Sequence, residues 1–363
     1  MTLLRRLVLW LLVLSGWAGA HEITFSHVDV RLDQGNTQFT VQLPIKALLH
    51  EQPSPLPAGT TAPLLRNAPL STEVQTAFTA LVTARLRLTA GAQAVPLTVT
   101  AAEPAGEDVK LTLTAPALHG NVNLEANLFP EDTLHKVFVN VYRGEALVGQ
   151  YALDRQNAAL TLTAPPQPLW AVITTFVRQG VHHIFIGVDH ILFVLALILL
   201  GGGLRAQVKI ITAFTFAHSI TLALATLNIV VLPSRLVESV IALSIVVVGV
   251  HDLWQLRRAQ PAAQGRDLRV VFAFGFGLIH GFGFASVLAD LDLPRQALAW
   301  SLAAFNVGVE FGQLCVVLAA PVLLALRRYA PAQVTQGVLG AAAGAVVLIG
   351  GFWLCERALS VPL

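Results

Sequence analysis

Two patterns of apolar and polar positions divide the chain. From about residue 21 to 165, apolar residues alternate with polar ones in short runs: "FTVQLPI", "ARLRLTA", "VPLTVTA", "VKLTLTA", "NVNLEANL", "KVFVNVY" and "LTLTA". Period-two alternation puts one face of a strand toward a core and the other toward water, so each run predicts a half-buried strand. Their spacing predicts a small all-β, sandwich-like domain. "HEQPSPLPAGTTAPLL" reads as a loop, and "STEVQTAFTALV" as a short helix. The three prolines of "TAPPQPLW" (163–170) stiffen a linker. Residues 166–181 comprise this linker and an amphipathic lead-in.

Beyond the lead-in the alternation stops and long apolar runs begin. Six have the roughly 20 residues that a membrane crossing needs: about 182–201, 208–231, 236–255, 270–289, 297–325 and 334–354. They predict an all-α membrane bundle over 182–355, with residues 356–363 as a short outer tail. The start of the chain carries a shorter run. Arg5 and Arg6, then Leu7–Leu14, then Ala18-Gly19-Ala20 have the order of a signal peptide over residues 1–20.

Composition agrees with the pattern. The 363 residues are 55% hydrophobic and 12% charged, with mean hydropathy +0.67, whereas soluble domains carry about 25% charged residues. A net charge of +2 gives no electrostatic footprint for a nucleic acid. Export of the β-domain makes the first span run inward. The inner loops then hold Arg205, Lys209, Arg257, Arg258, Arg266, Arg269, Arg327 and Arg328, and the outer loops and tail Arg235, Arg295 and Arg357. That asymmetry matches the positive-inside rule. It predicts a multi-pass protein of a bacterial inner membrane, with the β-domain on the periplasmic side. The two cysteines, Cys315 and Cys355, fall in apolar runs and read as small buried hydrophobes. With Met1 the only methionine, soft ligands for a copper(I) conduit are scarce.

Polar residues inside the apolar runs change the picture. A charged side chain at the bilayer centre costs about 2.5–3.5 kcal/mol, so such groups face cavities or one another. The first span opens "HHIFIGVDH": His183 and His190 are two turns apart on one helix face, with Asp189 beside them as a ligand or as a hydrogen-bond acceptor for a ligating imidazole. His182, at the head of the span, reads as interfacial. The second span carries His218-Ser219, and the fourth has His280 among Gly275, Gly277, Gly281 and Gly283. Gly277 and Gly281 form a small-xxx-small pair that admits a neighbouring helix closely. In the fifth, Asn306, Glu310 and Gln313 make one polar stripe. At 1.5 Å rise per residue, His190, His218, His280 and Glu310 each lie roughly 15–18 Å from the nearer cytoplasmic span end. Four helices thus present imidazole or carboxylate at one depth, the pattern of an intramembrane site for a divalent transition metal such as Ni, Co or Zn. The candidate ligands are His183, Asp189, His190, His218, His280 and Glu310. Glu238 on the outer side, Asn306, and His251 and Asp252 on the inner side form a second tier.

The segment His183-Ile184-Phe185-Ile186-Gly187-Val188-Asp189-His190 resembles the H-P-x-x-G-x-D-H signature of the HupE/UreJ family, with Ile184 in place of the proline. "FTFAHSITLALA", "FGFGLIHGFGFA" and "FNVGVEFGQL" are similar to blocks of a longer branch that adds an exported N-terminal domain. The family comprises small membrane proteins associated with hydrogenase and urease and regarded as nickel permeases. The resemblance covers about residues 170–355. It implies metal permeation, His183, Asp189 and His190 as ligands, and metalloenzyme-maturation proteins as partners.

Three functions fit the residues. The first is a nickel- or cobalt-type permease, without an ATPase of its own since no Walker A motif appears. The β-domain, with His21, His27, His50, His119 and His135, would capture or gate metal. The second is an intramembrane hydrolase, with a histidine-bound zinc and Asp189 or Glu310 as general base, and Ser219 beside His218. The third is a sensor or assembly factor with a structural metal site. A polar path continuing inward through His251 and Asp252 favours transport.

Overall fold

The structure is a computed structural model. It describes residues 24–257 (apart from 34, 119, 164 and 228), 268–283, 295–329 and 332–359. The segment read as a signal peptide, His21 and His119 lie outside these residues. The chain folds as two compact units that divide near Phe176.

The N-terminal unit is β-rich. Among the described residues, ten strands form two sheets: β1 (Phe25–Leu32), β2 (Asn36–Pro44), β3 (Leu86–Ala90), β4 (Gln93–Val95), β5 (Thr98–Ala105), β6 (Asp108–Pro116), β7 (Val122–Ala126), β8 (Lys136–Arg143), β9 (Ala146–Leu153) and β10 (Ala159–Thr161). One sheet has the order β5-β6-β2-β1-β8-β9 and the other β10-β7-β3-β4. Strands β1 and β8 pair in parallel, and every other pair is antiparallel. Alternation works as the sequence implies: in β6, Val109, Leu111 and Leu113 enter the core while Lys110 is exposed. Both sheets feed one apolar cluster, Phe39, Val41 and Leu43 from the first and Leu86, Leu88 and Leu124 from the second. Three helices complete the unit, α1 (Ile45–His50), α2 (Ala62–Arg66) and α3 (Thr72–Arg85). The last is the helix expected near "STEVQTAFTALV"; Ser71 caps it by accepting from the Val74 N–H, and Phe78 and Val82 pack into the core.

Strands β1, β4 and β9 were not among the expected runs. In "FSHVDVRL", His27 and Asp29 hold the positions that elsewhere face water, yet both are buried. Their face carries polar pairs: Asn140 on β8 donates to Asp29 at 2.8 Å. Burial pushes the His27 imidazole down to about 3, helped by nearby His135, and burial brings His135 down to about 4 against the opposing pull of Asp132. His135 bonds Thr24 through Nδ1 and Ser26 through Nε2.

The C-terminal unit is helical: α4 (Leu169–Ile186), α5 (Val188–Leu199), α6 (Leu204–Thr226), α7 (Ser234–Arg257), α8 (Leu268–Gly283), α9 (Arg295–Tyr329) and α10 (Ala332–Leu359). Helices α6, α7, α9 and α10 contain stretches long and apolar enough to cross a membrane. The first expected span, 182–201, is broken: α4 and α5 meet at Gly187 with a bend of 75°, and together they make one further crossing or a re-entrant loop. Helix α8 is apolar but has 16 described residues; the end of the expected fourth span lies outside the described residues. Large apolar side chains such as Leu348, Phe352 and Phe216 face outward, as they do where lipid replaces water. Cys315 and Cys355 are also exposed, not buried as expected; against lipid, an apolar side chain gains little by turning inward.

Candidate metal centre

Glycines bring the helices of this unit close enough for their polar residues to meet. On α8, a Cβ at Gly277 would lie 2.6 Å from the Phe214 carbonyl oxygen of α6, and one at Gly281 would strike the Thr221 hydroxyl and the His218 carbonyl. Gly180 on α4 and Gly308 on α9 do the same for that pair, where Gly180 abuts the Phe305 carbonyl and Gly308 that of Val177. At the α4–α5 break, a Cβ on Gly187 would stand 2.7 Å from His190 Nδ1 and 3.0 Å from the His183 carbonyl oxygen. Any larger residue there would push the two histidines apart.

The result is a cluster of four imidazoles from four helices. The ring centroid of His190 lies 4.6 Å from His183, 6.4 Å from His218 and 5.2 Å from His280. One nitrogen from each of His183, His190 and His218 falls within 4.8 Å of the others. Phe193, Phe214 and Phe305 wall the cluster, with Phe193 and Phe214 both about 5 Å from His280. His190, His218 and His280 are buried, the last two to 1% exposure or less.

Hydrogen bonds determine which nitrogen of each ring faces inward. His190 Nδ1 is 3.1 Å from Asp189 Oδ1, and the carboxylate also accepts from the His190 N–H. His280 Nδ1 is 2.9 Å from the Phe276 carbonyl, one turn back on its own helix. His218 Nδ1 is 3.3 Å from Asn306 Oδ1, and Asn306 directs its NH2 to the Leu302 carbonyl, leaving its oxygen to face the imidazole. All three partners are acceptors, so each Nδ1 carries the proton and each Nε2 a lone pair. The Nε2 atoms of His190, His218 and His280 are buried and have no hydrogen-bond partner among the described residues. A buried polar atom left without a partner costs about 1–3 kcal/mol. Three in one cluster need a common explanation, and unshared lone pairs among packed imidazoles fit a cation. Tetrahedral coordination at about 2.0–2.1 Å needs nitrogens roughly 3.4 Å apart, so His183, His190 and His218, whose nitrogens lie within 4.8 Å of one another, would have to draw inward by about an ångström.

The other candidates take different positions. Asp189 lies behind His190, and its second oxygen is 3.6 Å from Arg357. Glu310 accepts from Thr212 at 2.5 Å, and Gln313 from Thr215 at 3.1 Å, so the stripe on α9 fastens to α6. Ser219 donates its hydroxyl to the Thr215 carbonyl at 2.7 Å. The Glu238 carbonyl accepts from Arg357 at 3.3 Å. His251 and Asp252 are neighbours on α7, 3.7 Å apart; Asp252 is wholly buried, and neither of its oxygens has a hydrogen-bond partner among the described residues. Nothing in the sequence marks Arg357 as a neighbour of the cluster, because only the fold brings the end of α10 to the start of α5.

A family model described as HupE / UreJ protein matches residues 158–357. The chain belongs to the HupE/UreJ family. The match covers the whole imidazole cluster and more than half of the sequence. The family is associated with nickel- and cobalt-transport-like accessory functions, and the apolar helices make this member a membrane protein. Comparison with curated proteins found no match.

Proposed function

We propose that this HupE/UreJ protein is a permease for a divalent transition metal of the nickel and cobalt type, with His183, His190, His218 and His280 as the intramembrane cargo site. The observation that carries the reading is the acceptor beside each Nδ1 of His190, His218 and His280, which leaves each buried Nε2 without a hydrogen-bond partner among the described residues. Imidazole nitrogen suits nickel, cobalt and zinc. Asp189 and Asn306 hold the rings from behind, and Asp189 adds negative charge through His190, as outer carboxylates do at histidine–metal sites.

The donor set also favours passage over permanent retention. Neutral imidazoles cancel none of the ion's charge, and neither cysteine supplies a thiolate to the cluster. A conducting site must bind well enough to admit an ion and weakly enough to release it. Asp252, a buried carboxylate further along the inward direction set by the loop charges, provides a next station. In this reading the β-unit faces the periplasm, and the released metal goes to metalloenzyme maturation. The hydrolase reading has less support: Ser219 is bonded to its own helix, Glu310 to Thr212, and Asp189 to His190.

The test is metal content and uptake together. Purified protein offered Ni2+ or Co2+ should hold close to one ion, and proteoliposomes should accumulate it. His190→Ala/His280→Ala should lose about 100-fold or more in affinity and abolish uptake. Wild-type protein that stays metal-free under these conditions would sink the proposal.

A further inference from the structure

The Arg357 side chain belongs to the end of α10, yet it reaches Asp189 at the start of α5. Its guanidinium is 3.6 Å from Asp189 Oδ2, donates to the Glu238 carbonyl at 3.3 Å, and lies 5.6 Å from the Trp353 ring centre. The side chain is 12% exposed. Its backbone is held separately: Arg235 on α7 donates to the Arg357 carbonyl at 3.3 Å and to that of Ala358 at 2.5 Å. Arg357 is therefore anchored at its main chain while its charge extends over the carboxylate behind His190.

Asp189 divides its oxygens between two donors, one neutral and one cationic. Oδ1 orients His190, and Oδ2 receives Arg357. While the cluster is empty, the guanidinium neutralises a carboxylate that is 20% exposed and would otherwise be a poorly solvated charge. Once a divalent cation occupies the imidazoles, Asp189's charge is drawn toward it through His190, and the ion repels the guanidinium at short range through a medium of low dielectric. The same pair is thus attractive in the empty site and strained in the filled one.

We propose that Arg357 is an internal surrogate cation: it holds Asp189 in the empty site, and an arriving divalent metal displaces it. This deepens the reading of the imidazole cluster as a cargo site and rests on it. Arg357 acts through Asp189 and is a positioning residue, not a ligand. It keeps affinity moderate, since each binding event must release the arginine and each departure is assisted by its return.

The experiment measures Ni2+ affinity calorimetrically on the full-length protein in detergent at low ionic strength. Arg357→Gln removes the competing charge and should tighten Ni2+ binding by about tenfold. Arg357→Lys keeps the charge and should remain within about threefold of wild type. A purely structural arginine predicts the opposite: weaker or unchanged binding in Arg357→Gln, and that result overturns the proposal. A second measurement needs no variant and covers the case in which Arg357→Gln fails to fold. Phenylglyoxal modification of Arg357 in wild-type protein, read by mass spectrometry, should accelerate when Ni2+ is added. Unchanged or slower modification of metal-loaded protein refutes displacement. Wild-type protein that binds no Ni2+ defeats the cargo site itself, whereas Ni2+ binding with neither effect defeats only the role of Arg357.

Discussion

Both units bury histidines, but they treat them differently. In the β-unit, buried polar groups find fixed partners: Asn140 bonds Asp29, His135 bonds both Thr24 and Ser26, and Arg85 grips both oxygens of Glu51 at 2.7 and 2.9 Å. Among the described residues His27 leaves Nδ1 without a hydrogen bond, but its neighbour His135 has both ring nitrogens engaged, so it offers no second lone pair. In the helical unit, each Nδ1 of His190, His218 and His280 is engaged while each Nε2 is left over. Burial alone does not mark a site. A site is marked where the unsatisfied half of several side chains converges, because the energy lost there is recovered only when something else binds.

The difference can be broken from either side. The largest effect on stability is expected in the β-unit. Arg85→Ala strands Glu51, whose side chain is 4% exposed, and should cost about 3 kcal/mol, read as lost hydrogen-exchange protection across α3 and β3, while Ni2+ affinity stays unchanged. If metal affinity also falls, the separation of the two kinds of buried polarity fails. Asn306→Ala should do the reverse. It frees His218 to rotate and should weaken Ni2+ binding by about tenfold or more, with little loss of thermal stability.

Acid should sharpen the contrast as well. The folded forms of His27 and His135 resist protonation down to about 3 and 4, whereas an unfolded histidine takes a proton near 6.5. Between those values the unfolded chain binds more protons, so stability from these residues is complete above about pH 6.5 and declines as pH falls toward 4. Hydrogen-exchange protection in β1 and β8, taken relative to the intrinsic exchange rate at each pH, should therefore be lower at pH 5 than at pH 7.5 in the intact protein. His27→Phe should reduce that difference. An equal acid response in wild type and His27→Phe would remove His27 from the explanation.

Much of this architecture is legible in the residues themselves. Period-two alternation reveals β2, β3 and β6, because a strand with one wet face must alternate. It hides β1, whose His27 and Asp29 hold the usual water-facing positions and are nevertheless buried. Apolar runs reveal the membrane helices, because a span must satisfy its backbone internally and cover it with apolar side chains. The same runs conceal the break at Gly187, which depends on how closely His183 and His190 approach. The histidines themselves could be picked out, since imidazoles within apolar helices are costly enough to need a reason. Their roles could not. Whether Asp189 ligates or orients, whether Glu310 joins the imidazoles or bonds Thr212, and whether a tail arginine reaches the cluster all depend on contacts between residues as much as 168 positions apart, Asp189 and Arg357 being the extreme. Sequence determines which side chains are expensive to bury, because that cost belongs to each residue. Only the tertiary structure decides which of those costs are cancelled by a partner and which are left for a ligand, because a hydrogen bond belongs to two residues and to the distance between them.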